Sequence, residues 1–561
     1  MPLNLLLKDT VAFSLCAIFY TQKIYLSIPF FYYFVWCITA FYGKIEKSVL
    51  AGTIKRGMKN SNKIRKVCAK EIMEREKFGS RLGFILVSAG CAIGLGNVWK
   101  FPYMCGEYGG AAFIFIYLLF LVLLGIPVLV CEFAVGRGSK KSVAVSFEKL
   151  APKNSRWHWL KGIGIGGCYL LMMFYTMVGG WMVYYCMRSF TGAFVGASPE
   201  FVAQSFDQML GNPGLMIFWT VLVCVMGFLI CLFGLKKGIE RVSKVMMTAL
   251  LVIMLVLAVH SFFMDGAEEG IRFYLVPDFG KMVDNGIGNV IFGAMSQAFF
   301  TLSIGIGAML IFGSYLDRAR SLTGEAVNIT ILDTFVALMA GMIIIPACFS
   351  YGIEPGAGPS LVFLTLPNIF AQMAAGQLWS GLFFLFLSFA ALSTIIAVFE
   401  NLIAIFMDLL GWTRKRSVFV CAAAMILLSM PCVLGFNVLS GIQPLGEGTT
   451  IMDLEDFIVS NNLLPLGSLG YVLFCTRKNG WGWDKFLKEV NTGTGISFPA
   501  GLYGYVAYGI PAIIIFIYLK GYYDMFSSRG GLVFAGWMAV AVLFLGFVLV
   551  CAGGNGKNRQ E

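Results

Sequence analysis

The sequence predicts an all-helical membrane protein that crosses the bilayer 12 times. Composition, a succession of long apolar runs and a lopsided spread of positive charge predict it. Of the 561 residues, 58% are hydrophobic and only 13% are charged, about half the roughly 25% charged residues of a soluble domain. That composition excludes a soluble enzyme, a secreted disulfide scaffold and a nucleic-acid binder, and it leaves a polytopic bundle of helices.

A bilayer-crossing helix needs about 20 apolar residues. Windows of that length fall near 82–105, 111–135, 160–190, 214–234, 245–264 and 290–313, here called spans 1 to 6. Spans 7 to 12 fall near 327–350, 378–406, 417–439, 457–475, 500–519 and 531–552. No strand alternation or linker separates them, so they form one membrane domain. The formal charge of +12 has a topological reading. With residues 51–81 placed inside, and Lys161 and Arg188 at the two ends of span 3 counted with the segments they adjoin, the inside segments carry 32 Lys and Arg and the outside segments five. The positive-inside rule then puts both ends of the domain in the cytoplasm of a cell-membrane protein. The 15 cysteines form no CxxC pair, and His158 and His260 are the only histidines; reduced structural thiols and no metal centre are expected.

Residues 1–72 do not fit this pattern. Thr10 to Tyr42 is apolar and aromatic, interrupted by Lys23, and reads as a thirteenth span or an over-extended start, with Met58 and Met73 as later starts. The sequence favours the second reading, because Met73-Glu-Arg-Glu-Lys77 leads straight into span 1; a signal peptide is not expected, since no small-residue cleavage site follows the apolar run. The expected organisation is an extension over 1–72 and a transmembrane domain over 73–552. A short cytoplasmic tail follows over 553–561.

Two spans carry glycine pairs that a continuous helix does not need: Ala89-Gly-Cys-Ala-Ile-Gly-Leu-Gly-Asn97 in span 1 and Phe299-Phe-Thr-Leu-Ser-Ile-Gly-Ile-Gly307 in span 6. Glycine costs a helix interior about 1 kcal/mol relative to alanine, so such pairs beside Asn, Thr and Ser mark candidate breaks. Freed carbonyls there can ligate a cation, and half-helix N-termini can face an anion. Breaks five spans apart give a second five-span unit inserted upside down relative to the first. That is the inverted-repeat pattern of a secondary transporter, with repeats over about 75–264 and 285–476 and two extra helices over about 500–552. Close packing through small residues is the competing account of the glycines.

The motifs go further. Arg75-Glu-Lys-Phe-Gly-Ser-Arg-Leu-Gly-Phe84 and Ala92-Ile-Gly-Leu-Gly-Asn-Val-Trp-Lys-Phe-Pro-Tyr103 resemble the opening of the neurotransmitter:sodium symporter family. So do Glu107-Tyr-Gly-Gly, Gly125-Ile-Pro, Glu132-Phe-Ala-Val-Gly-Arg137, Lys237-Gly-Ile-Glu-Arg241 and Leu464-Pro-Leu-Gly467. The resemblance covers about residues 75–552 and is to the bacterial amino-acid-transporting branch. It implies a leucine-transporter-like fold, with helices 1 and 6 discontinuous, and sodium-driven uptake by alternating access.

Carried over residue by residue, the resemblance implies a first sodium site of the Ala92 carbonyl, Asn97, Thr301 and Asp333, completed by the substrate's carboxylate. A second would use the Gly90, Ile93 and Ala390 carbonyls with the Ser393 and Thr394 hydroxyls, making two Na+ ions. All are hard oxygen donors, although Ser and Thr in membrane helices more often bond their own backbone. Asp333 stands where the family more often has asparagine, and Ala337 supplies no anion ligand. Asp333 is therefore expected to provide the fixed negative charge, making transport chloride-independent.

Gly94 leaves room where monoamine carriers of the family place an aspartate. A zwitterionic amino acid therefore fits, its carboxylate meeting sodium, the Gly94–Gly96 amides and Tyr175. The implied substrate contacts are Cys91, Ala92, Gly94, Leu95, Gly96, Leu171, Tyr175, Phe300, Thr301, Ser303, Ile306, Thr394 and Val398. This lining is uncharged and apolar, so a neutral hydrophobic side chain is expected. Ile306 stands where many relatives carry phenylalanine, which leaves aromatic and aliphatic substrates both open. The implied gates are Tyr175 with Phe300 over the substrate, Lys100 with Asp456 outside, and Arg75 with Asp408 inside beside Phe78 and Tyr315. Asp453 and Glu455 compete for Lys100.

Glu132 and Glu400 are buried carboxylates that hold helices together or relay protons. Gly162-Ile-Gly-Ile-Gly-Gly167 matches a nucleotide-binding pattern, but no strand precedes it. The competing functions are a proton-coupled transporter of the same fold and an amino-acid sensor. No nucleophile, base and metal set supports an enzyme. The expected partners are a small amino acid and the lipid bilayer, with no nucleic acid.

Overall fold

The structure, a computed structural model, describes residues 76–284, 286–352 and 361–553. The expectations for residues 1–72 and for the tail beyond Gly553 lie outside these residues. Among the described residues the elements are helical, because a lipid interior offers no partner for an unpaired N–H or C=O. Ten helices among the described residues are long and apolar enough to cross a membrane. Spans 2 to 5 are Ala111–Ser139, Trp157–Phe190, Pro213–Leu232 and Leu235–Phe262. Spans 7 to 9 are Leu322–Ser350, Gly376–Leu410 and Arg414–Leu434, and spans 10 to 12 are Ile451–Thr476, Ala500–Phe526 and Gly531–Ala552.

Span 1 is a bent pair, Arg81–Ala92 and Gly96–Glu107, with a 58° change of direction. Span 6 is likewise two helices, Ile287–Thr301 and Ala308–Tyr315. Both expected breaks are present, five spans apart. The ends of spans 5, 10 and 11 run beyond the apolar windows. Span 5, for example, begins at Leu235 and carries Lys236, Lys237, Arg241 and Lys244. Long basic side chains reach the interface while their backbone stays helical, so hydropathy underestimates such ends.

The packing divides core from rim. The most apolar stretches of spans 3 and 8 are 89% and 83% buried in protein, against 11% for span 12. Span 3 packs along span 8, the second half of span 6 lies against span 2, and spans 5, 7 and 8 flank the first half of span 1. The two breaks thus sit beside the most buried helices.

The breaks have different backbone causes. In span 1, Ile93 turns extended at φ −67° and ψ 91°, and a π-helical turn over Gly96–Lys100 resumes the helix. In span 6, Ser303, Gly305 and Gly307 have φ of 50°, 103° and 83°. That left-handed region suits glycine and strains a side chain. Gly305 also approaches span 10 so closely that a Cβ would lie 2.2 Å from the Leu464 carbonyl oxygen.

Candidate functional site

At the break of span 1, carbonyls left without helical donors gather around one hydroxyl of span 8. Thr394 Oγ1 lies 3.2 Å from the Gly90 oxygen, 3.4 Å from those of Cys91 and Ile93, and 3.4 Å from the Ala390 oxygen of its own helix. Ser393 Oγ donates to the Ala390 carbonyl at 2.9 Å. A Cβ on Gly90 would stand 3.2 Å from that of Ser393, so glycine lets the two helices approach here. The five residues expected at the second sodium site therefore occupy one cluster of oxygen atoms.

A second polar cluster joins the far side of the same break to spans 6 and 7. Asn97 Nδ2 donates to Asp333 Oδ1 at 2.8 Å, to the Asp333 carbonyl at 3.2 Å and to Thr301 Oγ1 at 3.0 Å. Thr301 Oγ1 donates to Asp333 Oδ2 at 2.9 Å. Asn97 Oδ1 accepts from the Gly94 amide at 3.2 Å. All three side chains are buried. A buried carboxylate needs charge-assisted bonds or a cation to offset its desolvation, and here a hydroxyl and a carboxamide surround it. Ala92, the expected carbonyl donor, is the last residue of the first half-helix, five positions before Asn97.

Between the clusters, Tyr175 of span 3 ties down the unwound chain, its phenolic oxygen accepting from the Leu95 amide at 2.9 Å. A Cβ on Gly94 would lie 2.3 Å from that oxygen and 3.0 Å from Thr394 Oγ1, and one on Gly96 would lie 2.7 Å from the Phe300 ring. Any larger residue at Gly94 would fill the space. Ser303 Oγ donates to the Cys91 carbonyl at 3.4 Å, joining the two breaks directly. Leu171, Ile306 and Val398 are buried apolar residues of spans 3, 6 and 8.

The gates differ from expectation on the outer side. Among the described residues no ion pair joins Lys100 to Asp456. Lys100 Nζ lies over the Phe300 ring, 4.1 Å from its centroid, while Asp456 accepts from Ser460 Oγ at 2.7 Å. The Lys100 ammonium thus rests on a ring face here, with Asp456 near enough to act on its charge. A lysine ammonium lacks the forked geometry that would grip a carboxylate at two points, and a partly desolvated ring face competes well for it. Asp453 is occupied in capping its own helix, accepting from the Thr450 amide at 2.7 Å, and Glu455 is buried.

On the opposite side, Arg75 lies outside the described residues. Its expected partner Asp408 accepts from Lys141 Nζ at 3.2 Å and the Ser142 amide at 2.7 Å. Phe78 meets Tyr315 edge to face at 5.9 Å. Tyr315 donates to Glu400 at 2.6 Å, and Arg414 bonds both Glu400 oxygens and reaches Glu76 at 3.3 Å. Glu400 thus joins spans 6, 8 and 9, a helix-holding role.

Sequence reading left Glu132 between two roles. The structure puts its carboxylate on the amides of Gly305 at 2.8 Å, Met309 at 3.1 Å and Leu310 at 3.2 Å. It therefore caps the N-terminus of the second half of span 6 from span 2, where orphan N–H groups and the helix dipole favour an anion. Gln297, which donates to the Gly96 carbonyl at 3.0 Å, escaped sequence reading altogether. Its only signal was a lone amide in an apolar run, and such residues usually serve packing.

Comparison with known proteins agrees with this architecture. A profile of the sodium:neurotransmitter symporter family matches residues 75–199 and 197–551. An uncharacterized sodium-dependent transporter of Bacillus subtilis, YhdH, is 35% identical over 79% of this chain and 97% of its own length. Another, from Haemophilus influenzae, is 31% identical over 80% of this chain and 98% of its own. The crystal structure of MhsT in complex with L-phenylalanine superimposes with a TM-score of 0.72 at 38% identity, covering 80% of this chain and all of MhsT. The chain is a multi-pass membrane protein with the leucine-transporter-like fold. It belongs to the sodium:neurotransmitter symporter family, whose members are sodium-dependent transporters and not enzymes.

Proposed function

We propose that this transporter imports a neutral, hydrophobic amino acid with two sodium ions, without chloride, across the cell membrane. The observation that carries the reading is the convergence of two oxygen clusters on the unwound chain at Ala92–Asn97. One is centred on Asp333, Thr301 and Asn97. The other is centred on Thr394 among the Gly90, Ile93 and Ala390 carbonyls. Hard oxygen donors suit an alkali ion, and Asp333 supplies the charge that would otherwise call for an anion. The substrate lies between the clusters, its carboxylate toward the Gly94–Gly96 amides and Tyr175, its side chain toward Leu171, Phe300, Ile306 and Val398. L-phenylalanine bound to MhsT supports an amino acid with an apolar side chain. Tyr175 and Phe300 close over it, Lys100 steadies Phe300, and Phe78, Tyr315, Asp408 and Arg75 form the inner gate. The positive-inside bias supports cytoplasmic ends.

Uptake of a panel of labelled amino acids into proteoliposomes tests the reading. Replacing sodium by choline is expected to abolish accumulation, and replacing chloride by gluconate at constant sodium to leave it unchanged. Equal uptake in choline and sodium would overturn the coupling; loss in gluconate would overturn the role given to Asp333.

A further inference from the structure

Span 3 presents Gly167, Leu171 and Tyr175 on one stripe, at intervals of four residues. Span 8 presents Thr394, Val398 and Asn401, at intervals of four and three. The upper members of both stripes meet the unwound chain of span 1, as described above. Of the lower members, Gly167 meets span 6 at Ile306, and Asn401 reaches the same place through Cys168. Cys168 donates its thiol proton to the Ile306 carbonyl at 3.4 Å and accepts from Asn401 Nδ2 at 3.1 Å. The Ile306 side chain is fully buried and seated in the notch left by Gly167. A Cβ at position 167 would lie 2.4 Å from Ile306 Cγ2, 3.1 Å from its Cβ and 3.7 Å from the Leu463 Cβ.

Ile306 has little freedom to avoid such a group. Its β-branched side chain has a stiff χ1. Its backbone lies between two left-handed glycines, is held by Cys168 at its own carbonyl and is held by Glu132 at the Gly305 amide. A methyl group at 167 therefore displaces the Ile306 side chain from its seat against span 3.

We infer that Gly167 is a specificity-determining residue. By receiving Ile306 into span 3, it keeps the floor of the site deep enough for a large apolar side chain. This rests on the proposed amino-acid site, and it singles out the larger apolar amino acids within the neutral class. One methylene in an apolar pocket discriminates by about 10- to 200-fold, so the effect is large enough to read in uptake.

The experiment compares the full-length chain with Gly167→Ala, Ile306→Ala and the double variant in proteoliposome uptake driven by an inward sodium gradient. The readout is the ratio of Vmax/KM for phenylalanine to that for alanine. Gly167→Ala is expected to lower the ratio at least about tenfold, Ile306→Ala to raise it, and the double variant to return it toward the parent value. An unchanged ratio in Gly167→Ala, or in Ile306→Ala should Gly167→Ala not insert, overturns the inference. If the parent chain accumulates no neutral amino acid with sodium, the proposed function itself fails. That outcome is distinct from a parent that transports while its variants keep the same ratio.

Discussion

The two broken spans solve one problem with opposite chemistry. At span 1 the break leaves carbonyl oxygens, and a hydroxyl from span 8 stands among them. At span 6 it leaves amide N–H groups, and a carboxylate from span 2 takes three of them. The oxygens of span 1 can exchange a weak hydroxyl donor for a cation without losing much, because Thr394 makes long bonds of 3.2 to 3.4 Å. The amides of span 6 are committed to a permanent charged cap. One break is thus suited to reversible ligation and the other to a fixed shape.

That contrast ranks the effects of mutation. The largest belongs to Glu132→Ala, which leaves three buried amides unpaired at roughly 1–3 kcal/mol each. It is expected to abolish uptake and lower the thermal midpoint of the purified protein; uptake close to the parent's would break the distinction between the two breaks. Next is Asp333→Asn. Losing charge-assisted bonds of about 1.5–3 kcal/mol should raise the sodium concentration for half-maximal uptake at least about tenfold, read from a sodium titration. Thr394→Val keeps the shape and removes the hydroxyl. It is expected to reduce the Hill coefficient for sodium toward one while the protein remains folded, and an unchanged coefficient would deny the cluster a ligating role. Tyr175→Phe removes one bond to the Leu95 amide, worth about 1 kcal/mol, and should raise the substrate KM about fivefold. The smallest effect is that of Lys100→Gln. A cation–π contact of about 0.5–2 kcal/mol predicts faster release of bound substrate to the outside by a few fold, measured by dilution of preloaded protein.

Legibility in the sequence followed the range of the interactions. The 12 spans were legible because hydropathy and charge act on each segment alone. The breaks were legible because glycine pairs beside Asn, Thr and Ser are a local conflict with helix. Asn97, Thr301, Asp333, Ser393 and Thr394 were assigned through the family motifs; without these, Ser393 and Thr394 read as ordinary back-bonded hydroxyls. The contact of Lys100 with the Phe300 ring was not legible, because it depends on distances between spans 1 and 6 that no local pattern encodes.

The sequence by itself therefore determined that the chain is a bundle of membrane helices, which spans are interrupted, and which residue types stand at the interruptions. Burial in lipid and the cost of glycine in a helix are properties of a segment and need no neighbour. Only the tertiary structure decided which free backbone group meets which side chain. It gave Glu132 the amides of span 6, Arg414 the Glu400 carboxylate, and Ile306 the notch at Gly167. Each is a contact between residues on different spans, 14 positions apart for Arg414 and Glu400 and 173 for Gly305 and Glu132, where close packing, not composition, selects the partner.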